Sequence, residues 1–232
     1  MIKLYGNASP NVVKVVIMLE ETGMPYEYVW IDQYQDEQFS PAYARINPNN
    51  KVPAIVDEGA RGRSVFESGA ILIYLAEKTG CFLPASEPDR SSTFAWLMLQ
   101  MSGIGPMFGQ FNHFNSPDYS NEDVPYAKNR FGNEARRIIK VLEHRLSECA
   151  YLAGSAYSIA DIAAYPWMVL RSFIGLPAEG LPNIEAWTQR IAARPAVMRA
   201  QERWDKARAI SAAAKAAASP EQRDRYFGRV PR

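Results

Sequence analysis

The fold of this chain is best predicted from residues 47–56, which read NPNNKVPAIV. A polar stretch ends at Lys51, and a Val-Pro pair then leads into the apolar run Ala54–Val56, which is typical of a strand. Because proline removes most of the preference for a trans peptide bond, the residues alone leave Val52–Pro53 open between a cis bond and a trans bond that only begins a strand. A cis bond would leave the Val52 N–H and C=O facing outward, where an extended peptide ligand pairs with them.

Strand and helix patterns alternate on both sides of this stretch. The predicted elements are a strand at Ile2–Tyr5, a helix from Ser9-Pro10 to Gly23, a strand at Tyr26–Ile31, a hairpin of Ala54–Val56 with Ser64–Phe66, and a helix at Glu67–Thr79. This order predicts a small sheet with helices on its faces.

The pattern changes after residue 82. Residues 83–89 contain two prolines and are predicted to be a linker. Only helical patterns follow, at Arg90–Asn115 with a break at Pro106, Val124–Cys149, Ser158–Phe173, Asn183–Arg194 and Pro195–Ala209. We therefore expect an α/β domain at 1–82 and an all-α domain at 90–209. The alanine-rich, basic tail at 210–232 is left open between a helix and a disordered segment.

Composition and charge argue against several classes of protein. The chain has 232 residues, of which 47% are hydrophobic and 22% charged, and this is enough apolar material for the cores of two modest domains. The net charge is only +1, which argues against a nucleic-acid-binding surface. Residues from 206 onward carry seven basic and two acidic side chains, so the tail is +5 and the rest of the chain −4.

Targeting and metal-binding patterns are not evident in the sequence. Lys14 interrupts the apolar run that follows Pro10, and no stretch reaches the roughly 18 apolar residues of a membrane helix. The cysteines, Cys81 and Cys149, form neither a disulfide framework nor a CxxC motif, which fits a reducing, cytoplasmic compartment. The two histidines are too far apart in sequence to indicate a metal site.

A second candidate binding segment lies at Phe66–Gly69, where a strand gives way to a helix. The free N–H groups and partial positive charge of a helix start favour a ligand carboxylate, which the Ser68 hydroxyl would also contact. Glu67 suits an ammonium group. Ordinary helix capping is the alternative. A carboxylate-and-amine site beside a backbone-pairing strand suits a γ-glutamyl peptide.

A third candidate segment is the turn at Asn7–Asn11, between the first strand and the first helix. Ser9 or Asn11 is placed to donate a hydrogen bond to a ligand sulfur, which would favour the thiolate. Ser9 also suits helix capping, and the two roles are compatible.

These three segments resemble the N-terminal domain of glutathione transferases. The resemblance is carried by Ser9-Pro10-Asn11, by residues 47–55 and by residues 66–75, while Tyr157–Ile162 resembles the capping motif of the C-terminal domain. Residues 105–110, GPMFGQ, and the following Asn112-His113-Phe114 are similar to the bacterial Nu-class disulfide-bond reductases. The resemblance implies a thioredoxin-like, glutathione-binding domain followed by an all-α domain.

The resemblance also implies roles for individual residues. Ser9 and Asn11 are expected beside the glutathione sulfur, and Tyr5 in the core or behind the site. The other expected positions are Val52 at the cysteinyl backbone with Pro53 as a cis-proline, Glu67 and Ser68 at the γ-glutamyl end, Gln38 and Lys51 at the glycyl end, and Arg130 reaching into the partner subunit's site. A solvated helix position is the alternative for Arg130.

The expected function is that of a glutathione-dependent thiol–disulfide oxidoreductase or transferase, in which bound glutathione thiolate attacks a disulfide, peroxide or electrophile. A conjugating transferase is one alternative, and a non-enzymatic interaction module with the same fold is another. A homodimer is expected, because the long helix from Arg90 carries apolar residues on more than one face. No metal, nucleic-acid or membrane partner is expected.

Overall fold

The computed structural model describes residues 1–117, 119 and 122–230, so the last two residues of the predicted tail lie outside the described residues. Contacts group the chain into two units, Met1–Leu75 with Pro195–Arg232 and Ala76–Arg194. The first unit is built on a sheet, and the second is helical. The predicted fold class, a small α/β domain followed by a helical one, is therefore confirmed.

The sheet of the first unit is a mixed one. Its strands are β1 Ile2–Gly6, β2 Tyr26–Trp30, β3 Ala54–Asp57 and β4 Arg63–Phe66. They lie in the order β2-β1-β3-β4, with β1 parallel to β2 and the other two pairings antiparallel. The strands and the hairpin lie where the short apolar and aromatic runs of the sequence predict them.

The helices follow in chain order. Those of the described residues are α1 Pro10–Thr22, α2 Pro41–Ala44, α3 Ser68–Thr79, α4 Asp89–Leu99, α5 Gly105–Asn115, α6 Pro125–Glu148, α7 Ile159–Leu170, α8 Pro182–Ala192, α9 Pro195–Ala217 and α10 Pro220–Phe227. None of these helices is both long and apolar enough to cross a membrane.

Helix α1 begins and ends at the residues that its local sequence indicates. The Ser9 side chain accepts a hydrogen bond from the Asn11 N–H, and Gly23 ends the helix in the left-handed conformation, which glycine adopts without steric cost. At its start the helix packs tightly on β1. A Cβ atom at Gly6 would lie 2.5 Å from the Val12 side chain, so this approach requires glycine.

Helices α9 and α10 belong to the first unit because both bury side chains against it. In α9, Arg199 and Arg203 both bind the Glu20 carboxylate at the end of α1, at 2.7 and 3.0 Å. In α10, Arg225 binds Asp36 at 3.0 Å. These contacts give unit bounds that differ from the expected domains at 1–82, 90–209 and 210–232. The tail is helical over most of its described length.

The second unit is a helical bundle with a deformed long helix. Helix α4 passes into a π-helical turn at Gln100–Ile104 and then into α5, which has Pro106 in its first turn. The break predicted at Pro106 is not seen as an interruption, because the helical conformation continues from α4 into α5. The π-helical turn just before Pro106 accommodates a residue that has no N–H for the preceding turn. Residues 83–88, which form no helix or strand, precede α4.

A buried carboxylate organises the start of α7. Ser158 and Asp161 form the predicted capping box, in which each side chain bonds the backbone of the other. Asp161 also accepts hydrogen bonds from the Leu152 N–H and from the Trp187 indole, both at 2.9 Å. It therefore connects α7 to α8 and to the preceding loop.

Candidate functional site

Strand pairing places the three predicted segments at one edge of the sheet. Tyr5 pairs with Ala54, so the carboxyl end of β1 lies beside the amino end of antiparallel β3. Ala54 also pairs with Phe66, which brings the carboxyl end of β4 to the same place. The turn after β1, the Val-Pro pair before β3 and the start of α3 after β4 therefore share this edge, which we call the site edge.

The turn after β1 is fixed by side-chain hydrogen bonds. Asn7 accepts from the Ser9 N–H at 3.0 Å and donates to Gln33 at 2.6 Å. The Tyr28 hydroxyl donates to the Asn7 carbonyl, and the Trp204 indole donates to the Ala8 carbonyl, both at 2.9 Å. Ser9 is half-buried in this turn, so its hydroxyl is held in position next to the helix start.

The segment before β3 is held from behind by two buried side chains. The Val52–Pro53 peptide bond is cis, the isomer that the strand-pairing hypothesis requires. The Lys51 carbonyl accepts hydrogen bonds from the Tyr43 hydroxyl at 2.6 Å and from the Asn47 amide at 2.7 Å. Burial raises the pKa of Tyr43 to about 12, so this hydroxyl stays protonated and remains a donor at neutral pH.

The start of α3 combines strained backbone with a buried cation. Glu67 adopts a left-handed conformation with φ 69°, which is costly for a residue other than glycine, and its carboxylate accepts from Asn49 at 3.3 Å. Ser68 is only 3% exposed, and its hydroxyl accepts from the Lys14 ammonium at 3.2 Å. The site edge thus combines the partial positive charge of a helix start with a buried lysine, next to an exposed carboxylate.

The remaining predicted residues fall in different environments. Gln38 is 2% exposed, and its Oε1 atom has no hydrogen-bond partner among the described residues. Arg130 is an exposed residue of α6, in the second unit. Tyr5 packs against a cluster that includes Tyr43, with the two ring centroids 5.9 Å apart. The predicted residues that the structure brings to the site edge are Ser9, Asn11, Lys51, Val52, Pro53, Glu67 and Ser68. Arg130 belongs to the second unit.

Several residues of the site edge were not identified from the sequence. Lys14 is the most notable, although a lysine inside the apolar run of α1 was a visible signal of a buried charge. Asn7 and Asn49 give no such signal, because asparagine is common in turns whatever its partners. Trp204 lies 196 positions from its partner Ala8, so only the folded chain connects them.

Comparison with known proteins identifies the family. The N-terminal domain model of glutathione S-transferases matches residues 1–77, and the C-terminal domain model matches residues 93–195. The disulfide-bond oxidoreductase YfcG of Escherichia coli is 43% identical over 200 residues, covering 84% of this chain and 92% of that protein.

Other relatives are a regulator and a structure with bound ligand. The transcriptional regulator URE2 of Saccharomyces cerevisiae is 33% identical over 232 residues, covering 83% of this chain and 65% of that protein. A glutathione transferase family member from Pseudomonas fluorescens, solved with two glutathione bound, is 40% identical with a TM-score of 0.79 and covers 86% of this chain and 91% of its own. From both domain models and these relatives, the chain belongs to the glutathione S-transferase family.

Proposed function

We propose that this chain binds glutathione at the site edge and uses its thiol to reduce disulfides. The observation that carries the proposal is the convergence of three kinds of group at that edge. The Val52 backbone, which is followed by a cis-proline bond, suits the cysteinyl backbone. A helix start with Glu67 and Ser68 suits the γ-glutamyl end, and the Ser9 turn suits the sulfur. Lys51 and Gln38 then serve the glycyl end, and Arg130 of the partner subunit completes the site.

The chemistry needs no cysteine from the protein. A bound glutathione thiolate attacks one sulfur of a disulfide, forms a mixed disulfide and releases the other sulfur as a thiolate, which takes up a proton. A second glutathione thiolate then attacks the mixed disulfide on the glutathione sulfur. The products are oxidised glutathione and a second thiol, so two glutathione molecules supply both electrons. The Pseudomonas relative was solved with two glutathione bound, which supports the proposal that two molecules can bind here.

The protein's contribution is to favour the thiolate. A thiol of pKa about 8.5 is mostly protonated at neutral pH. Lowering that pKa by about two units takes roughly 3 kcal/mol of preferential thiolate stabilisation. A charge-assisted hydrogen bond from Ser9 or Asn11 together with the amino-terminal end of α1 is of this size.

Substitution of the two sulfur-contacting residues tests this mechanism. We expect a Ser9→Ala, Asn11→Ala double variant to lose about 10- to 100-fold in turnover of a small disulfide, because a charge-assisted hydrogen bond contributes about 1.5–3 kcal/mol. Glutathione affinity, measured by calorimetry, should change by no more than a few-fold, since the γ-glutamyl and cysteinyl contacts remain.

Ser9→Thr is the matched control for this experiment. Threonine keeps both the hydroxyl and the helix cap, so its turnover should stay within a few-fold of the wild type. Unchanged turnover in the double variant would remove both residues from the mechanism. If the wild type turned over an aryl halide electrophile as fast as a small disulfide, the conjugating transferase would be favoured instead.

A non-enzymatic module is the second candidate function. It is favoured by the similarity to a protein named as a transcriptional regulator. Absence of a calorimetric heat of glutathione binding at millimolar ligand would favour the module. The relative Ure2p is itself solved in complex with glutathione, so a chain that does bind is tested further by turnover of a disulfide, which a module would not show. The presence of Asn11, Lys51, Val52, Glu67 and Ser68 at their expected positions favours the enzyme.

A homodimer in a reducing, cytoplasmic compartment is part of the same proposal. Met98 on α4 is 48% exposed, and a second copy that packed along α4 would cover this side chain. Cys81 and Cys149 are free thiols, as a reducing compartment would keep them. A monomeric mass by light scattering would contradict the dimer.

A further inference from the structure

A lysine that none of the predicted ligand contacts uses is buried in the first unit. Lys14 lies in the middle of α1 and is 1% exposed, between Val13 and Val15, which are also buried. Its ammonium donates to the Ser68 hydroxyl at 3.2 Å, in the first turn of α3. A buried ammonium is costly unless something favours its charge, so its surroundings must be considered.

Burial and a neighbouring carboxylate act on the pKa of Lys14 in opposite directions. The carboxylate of Glu67, which is itself exposed, favours the charged form of the ammonium. The start of α3 presents further partial positive charge, which opposes a cation. Burial outweighs the carboxylate and lowers the pKa of Lys14 to about 7. An anion placed at the start of α3 would offset both the cost of burying the ammonium and the repulsion from the positive end of the helix.

We propose that Lys14 is a positioning residue of the glutathione site, which supplies the buried positive charge behind the γ-glutamyl carboxylate. The inference rests on the proposed function, because it assigns that carboxylate to the start of α3. The lysine acts through Ser68. Its ammonium polarises the hydroxyl, which strengthens the hydroxyl as a donor to the ligand, and its charge adds to that of the helix start.

The direction of the pH dependence follows from linkage. A bound carboxylate favours the charged lysine and raises its pKa in the complex. The affinity for the ligand is therefore highest at pH values below about 7, the pKa of Lys14 in the free protein, and falls as the pH rises above that value. Between pH 6 and pH 8 the loss due to Lys14 should be about tenfold.

The experiment measures the binding of S-methylglutathione, which has no titrating thiol, by calorimetry at pH 6, 7 and 8. We expect Lys14→Met to bind about 10- to 100-fold more weakly than the wild type at pH 6, and the ratio of the two affinities to shrink about tenfold by pH 8. Taking the ratio cancels the titration of the ligand amine. Lys78→Met removes an exposed charge from the last turn of α3, and this control should follow the wild type at every pH.

A measurement on the wild-type protein tests the proposal even if the Lys14→Met variant does not fold. The Lys14 side-chain resonance, followed by NMR with and without S-methylglutathione, should titrate near pH 7 alone and at higher pH in the complex. An unchanged titration, or an affinity ratio that stays constant with pH, overturns the role of Lys14 while glutathione binding stands. Absence of binding to the wild type overturns this inference and the proposed function together.

Discussion

Trp204 offers the sharpest test of how α9 supports the site. Its side chain is 3% exposed, and its indole donates to the Ala8 carbonyl, one residue before Ser9. The ring lines a small cavity together with Val12 and Tyr28, at the contact between α1 and α9. Trp204→Phe removes the donor but keeps an aromatic ring, whereas Trp204→Ala removes the ring as well.

The expected losses differ in size. Leaving the Ala8 carbonyl without its donor costs about 1–2 kcal/mol of unfolding free energy. A buried tryptophan side chain of about 200 Å², at about 25 cal/mol per Å², contributes roughly 5 kcal/mol. Measured Trp→Ala losses of about 3–5 kcal/mol agree with this value. Since domains are stable by only about 5–15 kcal/mol, Trp204→Phe should stay folded and Trp204→Ala should be marginal.

Urea unfolding, monitored by circular dichroism, measures these losses. Each loss shifts the urea concentration at the midpoint of unfolding, while the dependence of the unfolding free energy on urea concentration stays the same. Trp96→Phe is the matched control, because Trp96 is half-buried in the second unit and its ring contacts Arg145. Turnover of Trp204→Phe should also fall several-fold, since the turn that carries Ser9 loses a support. A midpoint for Trp204→Phe equal to that of Trp96→Phe would refute this reasoning.

Two substitutions in the second unit and one truncation test the other tertiary contacts. Asp161→Ala should lower the unfolding free energy by about 3–5 kcal/mol in urea, because the Leu152 N–H and the Trp187 indole lose their acceptor together with the cap. Ser158→Ala removes the cap and one hydrogen bond to Asp161, at 3.1 Å, and should cost only about 1–2 kcal/mol. Equal losses in the two variants would count against the wider role of Asp161. A chain shortened to end at Ala218 lacks α10 and its contacts with residues 33–36, so hydrogen exchange there should quicken about tenfold while β1 is unaffected. Unchanged exchange in those residues would show that α10 does not order them.

Much of the fold could be predicted from local sequence, because its elements carry their own boundary signals. Ser9-Pro10 and Gly23 mark the ends of α1, and short apolar and aromatic runs mark the strands. The capping box of Ser158 and Asp161 was visible for the same reason. In each case, residues a few positions apart decide the structure.

The site was predicted in part, through motifs whose members lie close together in sequence. Ser9, Val52 and Ser68 each sit at a boundary between elements, where the backbone offers polar groups whatever the rest of the chain does. That these boundaries meet depends on strand order. The pairing of β3 with both β1 and β4 brings them to one edge, and no single motif contains that information.

The sequence by itself determined the helices, the strands and the chemical character of the site edge, since these follow from periodicity, capping and turn residues. Only the tertiary structure decided that Lys14 donates to Ser68 and that Trp204 donates to the Ala8 carbonyl. It also decided that α9 and α10 pack within the first unit. The physical reason is sequence separation. Contacts between residues 54 or 196 positions apart form only when the whole unit has folded, and nothing in the local pattern of either partner specifies them.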